Sequence, residues 1–392
     1  MNVLNLIGRN KLLFSDDVLA SGIDEVIASS SFLVVGGAGT IGQSVVKELF
    51  KRTPKKLHVV DLSENNLVEL VRDIRSSLGY IKGDFRTFAL DCASLEFKIL
   101  FNDEGPYDYV LNLSALKHVR SEKDKYTLMR MVDVNILNTI FLLDLCIQHS
   151  VKAFFCVSTD KATNPVNMMG ASKRIMELFV MNKSADVKVS MARFANVAFS
   201  DGSLLHGFSM RMAKKQPVSA PTDIRRYFIT PQEAGELCLL SCIEGDNRDI
   251  FFPKLNAELD LLSFSDIGIN YLKFHSYKPK IFSNEEEARA GVKCIKEGFW
   301  PCYFFKSDTT GEKGFEEFFL ENDAITLENY NKIGIIKNEW PDDEALLSSF
   351  LSEISRMKLT GHWNREIIID LFSKMVPNFS HSEKGKYLDS KM

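Results

Sequence analysis

Two stretches of the chain concentrate residue types that can do chemistry. The first is Gly36-Gly37-Ala38-Gly39-Thr40-Ile41-Gly42, which follows the apolar run FLVV and opens a helical pattern. Glycine serves there for three reasons: a tight turn, close approach of backbone to a pyrophosphate, and close contact of helix with strand. The helix start adds free N–H groups and about half a positive charge, which suits an anion. Gly36, Gly39 and Gly42, with Thr40 and Ile41 in the first turn, are therefore candidate dinucleotide ligands. The next apolar run, LHVVD, ends in Asp61, about 20 residues on, where a carboxylate accepts both ribose hydroxyls. That favours NAD, because Asp61 repels a 2′-phosphate and the Lys55-Lys56 pair lies before the strand. Asp91, closing a third run, is a candidate partner for the adenine amino group. The second stretch is VSTDKATNP, Val157 to Pro165, which leaves the fifth apolar run where open α/β sheets place their ligands. Polar and titratable residues gather in it, with Thr159, Asp160 and Lys161 adjacent. Met169 and Lys173 follow at i, i+4 spacing, on one face of a helix.

The scaffold for both stretches is legible from Phe32 to about Phe194. Apolar runs (FLVVG, LHVVD, FALD, YDYVLNLS, AFFCVS, VKVSMARF) alternate with helical patterns over Ile41 to Phe50, from Glu64, around Val134 to His149 and through Met168 to Met181. Continuous apolar strands separated by helices predict a parallel sheet covered on both faces, a doubly wound Rossmann-like α/β domain. Residues 1–30 read as an N-terminal arm with a helix cap at Ser15. The NAD-binding domain spans 31–195. Beyond Arg193 the alternation fails, and 196–277, with Pro-marked turns and one helix starting near Pro231, is read as a substrate-binding region interleaved with the first domain. Residues 278–392 form an extension: charge-rich, then aromatic over Trp300 to Phe305, where core is expected rather than a ligand cage. Two amphipathic helical patterns ending at Phe372 follow, and a solvated tail over His381 to Met392.

Composition narrows the class of protein. Of 392 residues, 45% are hydrophobic and 11% aromatic, enough for a core, so global disorder is excluded. The 48 basic residues against 52 acidic give a net charge of −4, without the basic excess that nucleic acid demands. Seven scattered cysteines, odd in number and without a CxxC pair, read as small hydrophobes in a reducing compartment. The seven histidines show no metal-ligand spacing, and no metal is expected. No signal peptide is visible and no uninterrupted apolar stretch reaches about 18 residues, so the expectation is a cytoplasmic protein with no membrane part.

The chain resembles the extended short-chain dehydrogenases/reductases and, more narrowly, the nucleotide-sugar 4,6-dehydratases that act on UDP-N-acetylglucosamine. The matching stretches are GGAGTIGQ, NLSALKHV, VDVNILNT, VSTDKATNPVNMMGASK, RFANVAFSDGS and RRYFIT, spread over about residues 30 to 235. The leading LIGR is similar to the segment before the catalytic domain in long, membrane-anchored members. The extension containing WPCYFFKSDTTGEKGFEEFF is similar to that of a soluble subgroup tied to legionaminic acid and related sugars. One departure matters: the superfamily has Tyr four residues before the active-site Lys, and this chain has Met169, which cannot exchange a proton. Members with Met at that place are known among these dehydratases.

The resemblance implies oxidation of the sugar's carbon 4 by NAD, loss of water across carbons 5 and 6, and return of the hydride to carbon 6. Resemblance and chemistry together make Lys161 the base at carbon 5 and Asp160 the acid at the 6-hydroxyl. Asp160 also stands in for the missing Tyr as acceptor of the 4-hydroxyl proton. Thr159 holds the 4-oxygen and Lys173 the nicotinamide ribose. The implied cofactor set takes in Cys92 and Ser114 as well. Lys117 lies near cofactor and sugar, while Asn196 and Arg226 contact the nucleotide diphosphate, a task Arg225 could share. His118, beside Lys117, reads as a packing residue. The expected partner is a UDP-linked amino sugar bound by a homo-oligomer, for surface-glycan deoxy sugars or nonulosonic acids. Three alternatives stay open: a nucleotide-sugar 4-epimerase, a GDP-sugar 4,6-dehydratase, and a nucleotide binder without turnover.

Overall fold

The computed structural model describes residues 2–255, 261–307, 316–339 and 344–381. Three short helices come first: α1 (Val3–Leu6), α2 (Ser15–Ser21) and α3 (Ile23–Ala28). They are bound into the body and do not form a free arm. Phe14, Ile23 and Ile27 are fully buried, and the Arg9 guanidinium pairs with buried Glu233 at 2.7 Å. Ser15 is not a cap; it is the first helical residue of α2, and buried Phe14 occupies the capping position without a side-chain bond.

The alternating region follows as β1 (Ser31–Val35), α4 (Thr40–Lys51), β2 (Lys56–Asp61), α5 (Glu64–Ser77), β3 (Asp84–Ala89), α6 (Leu95–Glu104) and β4 (Tyr109–Asn112). It continues through α7 (Lys125–Val132), α8 (Asn138–Gln148), β5 (Ala153–Thr159), α9 (Met168–Asn182) and β6 (Lys188–Phe194). Side-chain caps set several helix starts: Ser63 for α5, Ser94 for α6 and Asn167 for α9. The helix expected from Val134 begins nine residues earlier, because Asp124 accepts the N–H groups of Tyr126 and Thr127 and so caps it at Lys125. One π-helical turn, Asp133–Leu137, joins α7 to α8. The run 125–148 is long and apolar enough to cross a membrane by length and composition, although Arg130, Asp133 and Asp144 interrupt its apolar stretches. In the fold most of it is buried, with Leu128, Val132, Ile136 and Leu142 inside the core.

Past β6 come β7 (Asn196–Val197), α10 (Leu204–Ala213), β8 (Val218–Pro221), β9 (Arg225–Ile229), α11 (Pro231–Glu244), β10 (Asp249–Pro253), β11 (Leu261–Ser263) and α12 (Phe264–Phe274). Thr230 and Glu233 form a reciprocal capping box at the start of α11, with Pro231 in its first turn. The remainder is β12 (Lys278–Ile281), α13 (Glu285–Ala290), β13 (Phe299–Phe305), β14 (Ala324–Thr326), β15 (Ile333–Lys337), α14 (Glu344–Thr360) and α15 (Arg365–Met375). The large sheet runs β3-β2-β1-β4-β5-β6-β10-β15-β14, parallel from β3 to β10, with β15 and β14 antiparallel. Strands from both later segments therefore complete the first domain's sheet. Two small sheets, β7-β9-β11 and β8-β13-β12, stand beside it. In the second, Trp300 and Cys302 are buried with Phe208 and Val218, so this end of the aromatic run packs the substrate-side core. The tail expected over His381 to Met392 lies outside the described residues except for His381.

Order 3-2-1-4-5-6 puts the reversal of strand order between β1 and β4, so the carboxyl ends of these parallel strands and of β5 face one crevice. Beneath it, Arg193 of β6 donates to Glu177 of α9 through Nε (2.8 Å) and Nη2 (2.6 Å). Ser158 of β5 and Arg174 donate to the same carboxylate, at 2.6 and 2.9 Å. Burial alone pushes the Glu177 carboxyl up, but the charge and hydrogen bonds of Arg193, with Arg174 and Ser158, hold it down to about 2. Glu177→Gln leaves the Arg193 guanidinium buried without its counter-ion and should cost about 3–5 kcal/mol in chemical denaturation at neutral pH. The pair's contribution is complete above the ordinary carboxyl value of 4.5 and fades as pH falls toward about 2. The gap between wild type and Glu177→Gln should narrow over that interval; a gap that stays constant from neutral to acid pH contradicts the assignment.

Candidate active site

At the end of β1 the glycine loop fits its surroundings residue by residue. Gly36 has φ +75°, and a Cβ there would lie 2.5 Å from the Ser114 nitrogen at the end of β4. A Cβ on Gly42 would lie 2.2 Å from the Gly36 carbonyl oxygen, so α4 reaches the strand only because that position is bare. Gly39 is different: its Cβ would meet nothing nearer than the Gly36 oxygen at 3.6 Å. Protein packing does not demand glycine there, and the bare backbone leaves a cradle at the start of α4, whose N-cap supplies no side-chain acceptor. That fits an external anion such as a dinucleotide pyrophosphate. Thr40 Oγ1 accepts from the Asp201 N–H at 2.9 Å, and Ile41 packs half-buried against the core. Asp61 accepts from the Ala38 and Ser63 N–H groups, at 3.0 and 2.9 Å, so its carboxylate sits beside the loop. Asp91 accepts from the Ala93 N–H and lies 3.6 Å from Arg130. Cys92 is buried against Asn138, and burial pushes its thiol up to about 11. Ser114 donates to Asn112 at 2.6 Å.

The second cluster lies at the end of β5. Thr159 Oγ1 donates to Asp160 Oδ1 at 2.8 Å, and Lys161 Nζ contacts both Asp160 oxygens at 3.1 and 3.3 Å. Asp160 is buried while Lys161 remains partly open. A Cβ on Gly170 would lie 2.4 Å from the Lys161 carbonyl, so the first turn of α9 presses directly on the short turn carrying these residues. Met169 is buried one helical turn before Lys173. Lys173 Nζ donates to the Val157 carbonyl at 3.1 Å, and burial lowers its pKa. Asn135, in the π-helical turn, binds both the Leu116 N–H and carbonyl and donates to Ser172 at 2.9 Å. It thereby ties the loop after β4 to α9, a use of π geometry common at functional sites. Lys117 on that loop is exposed, and His118 packs against Gly202, whose Cβ would lie 2.8 Å from its Nε2.

On the substrate side the two neighbouring arginines part. Arg225 is exposed and donates to the Leu261 carbonyl at 2.9 Å, whereas Arg226 is buried. Arg226 Nε lies 3.6 Å from Glu316 Oε1, and Asn196 Nδ2 donates to that same oxygen at 2.7 Å. Glu316 comes from the C-terminal extension. Burial first, and the Asp160 charge second, push its carboxyl up to about 7 against the opposing pull of Arg226 and Lys161. Sequence reasoning missed Glu316, Asn135 and Glu177. The one signal for Glu316 is two acids framed by phenylalanines in GFEEFF, which nothing local separates from a solvated charge pair.

Residues 32–300 match the family described as polysaccharide biosynthesis protein. A Methanocaldococcus jannaschii protein named "Uncharacterized membrane protein MJ1061" is 29% identical over 322 residues, 80% of this chain and 87% of that one. A UDP-N-acetylglucosamine 4,6-dehydratase (inverting) of Campylobacter jejuni is 28% identical over 234 residues, 57% of this chain and 67% of that enzyme. Of two longer relatives, from Staphylococcus aureus and Bacillus subtilis, the chain spans 57% and 52%. Among solved structures, Pen from Bacillus thuringiensis shares the fold, with a TM-score of 0.64 at 21% identity over 83% of this chain and 98% of that one. With its glycine cradle, its sheet order and a match that spans more than half its length, the chain belongs to the polysaccharide biosynthesis protein family, on the extended short-chain dehydrogenase/reductase fold of nucleotide-sugar dehydratases and epimerases.

Proposed function

We propose that the chain is an NAD-dependent 4,6-dehydratase of UDP-N-acetylglucosamine, forming a 4-keto-6-deoxy sugar for surface-glycan synthesis. The observation that carries this reading is the bonded series Thr159–Asp160–Lys161 beside the dinucleotide cradle, with Met169 where a tyrosine base would stand. A 4-epimerase shares the oxidation at carbon 4 but needs no acid and base at carbons 5 and 6. NAD, held by the Gly36–Gly42 loop, Asp61 and Lys173, would supply the hydride chemistry between carbon 4 and carbon 6.

The chain's residues handle the protons. Thr159 holds the 4-hydroxyl and passes its proton to Asp160, whose Oδ1 already accepts the threonine hydroxyl at 2.8 Å. Lys161, whose Nζ lies 3.1 Å from Asp160, enters the next step as a neutral amine. Lys161 removes the carbon-5 proton, made acidic by the new ketone, while Asp160 gives its proton to the departing 6-hydroxyl. The proton that leaves in water balances the one lost from the 4-hydroxyl, and Lys161 returns a proton to carbon 5. Lys173 holds the nicotinamide ribose, and Asp61 the adenosine ribose. Asn196 and Arg226 bind the diphosphate, with Lys117 near the sugar. Asp91, Cys92 and Ser114 line the cofactor's side.

Purified protein with NAD and UDP-N-acetylglucosamine should yield a nucleotide sugar lighter by one water in mass spectrometry. Lys161→Ala should slow this by about 10²–10⁴-fold while leaving UDP binding intact; full dehydration activity in that variant contradicts the role given to Lys161. Gly39→Val should weaken NAD binding in calorimetry by at least about tenfold with an unchanged melting temperature, because the side chain enters the cradle rather than the core. Unaltered NAD affinity would place the dinucleotide elsewhere.

A further inference from the structure

We propose that Glu316 is an internal stand-in for the substrate's diphosphate: the C-terminal extension seats its carboxylate on Asn196 and Arg226, and nucleotide sugar must displace it to bind. This rests on the diphosphate reading of those two residues. Both donor positions of the Asn196 amide are in use, one on the Tyr227 carbonyl at 3.3 Å and one on Glu316 at 2.7 Å. An amide has two N–H donors and no more, so a phosphate oxygen gains Asn196 only if one of these contacts opens. The Tyr227 contact lies in the pairing of β7 with β9, where Asn196 is in register with Phe228. Both are contacts of the Asn196 side chain, and the Glu316 one is made to an anionic acceptor that a phosphate oxygen replaces like for like. Arg226 Nε faces the same Glu316 oxygen at 3.6 Å, so a carboxylate and a diphosphate compete for one cation as well.

The mounting of Glu316 suits exchange. The residues after it are fastened: Glu317 accepts from Asn164 at 3.1 Å, and the Phe318 carbonyl accepts from Arg193 at 2.8 Å. The Phe318 ring stacks on Phe252 with centroids 6.1 Å apart. Among the described contacts Glu316 is held by its side chain alone, which accepts from Asn196 at 2.7 Å and from the Tyr227 N–H at 3.5 Å. Burial and the charge of Asp160 raise the Glu316 carboxyl, so its hold as a carboxylate is weaker than that of an ordinary acid. The extension thus sets the affinity of the site for anions.

Calorimetric titration of UDP into the full chain tests this, with Glu316→Gln and Glu316→Ala as variants and Glu317→Gln as the control for a change elsewhere on the segment. Removing the competing charge should tighten UDP binding about tenfold in both Glu316 variants, leave NAD affinity unchanged, and do nothing in the control. Weaker or unchanged UDP binding in the Gln variant, whose shape matches Glu, overturns the inference even if the Ala variant fails to fold. Unchanged binding in the variants alongside intact dehydration would do so without touching the proposed function. If GDP or dTDP binds wild type and UDP does not, the uridine assignment fails, and the same affinity ratio for the nucleotide that binds decides the inference. If none of the three binds any variant, the diphosphate reading falls and this inference with it.

Discussion

The buried pair of Arg193 and Glu177 is the constraint on which the rest of the site depends. Each side chain is almost wholly removed from water, and two such charges persist only when they face each other with their hydrogen-bonding capacity filled. Filling it recruits four parts of the chain: Ser158 from β5, Arg174 and Glu177 from α9, Arg193 from β6, and the Phe318 carbonyl from the extension. Ser158 is in register with Arg193, and the next residue on β5 is Thr159. The positions of Thr159, Asp160 and Lys161 are therefore inherited from an ion pair one residue below them. The same helix that carries Glu177 carries Lys173 one turn earlier and Met169 one turn before that, so the helix cannot rotate or slide without breaking the pair.

Charge is distributed over the site with little slack. Lys173 is buried with its Nζ on the Val157 carbonyl and the Met176 thioether, and burial lowers its pKa. Lys161 pairs with Asp160, Arg226 faces Glu316, and burial with the charge of Asp160 raises the Glu316 carboxyl to about 7. The extension enters this balance as a full participant: through β15 it extends the large sheet, through Phe350 and Phe372 it packs on α9, and through Glu316 it reaches the site.

What the sequence conveyed was governed by range. The glycine loop, Asp61 and the strand ending at Thr159 are written in adjacent residues, so loop, strand and helix could be read from spacing. Local caps were legible only in part. Pro231 marked the start of α11, but Ser15 looked like a cap and is not one, because burial of Phe14 sets that helix start. The helix containing the π turn began earlier than expected, since Asp124 lies outside the apolar period that announced it. The arm and the extension read as appendages because their partners are distant in sequence: Arg9 meets Glu233, and Arg226 meets Glu316. No periodicity encodes a contact across ninety residues, and an acid between phenylalanines carries no mark of what it will face.

Proton NMR of the purified protein with NAD and UDP-N-acetylglucosamine in deuterated water tests most directly whether this arrangement performs dehydration with Lys161 exchanging the carbon-5 proton. The expected result is a carbon-6 methyl signal appearing with deuterium incorporated at carbon 5. Epimerised sugar without a methyl, or a methyl product that keeps its original carbon-5 proton, contradicts it.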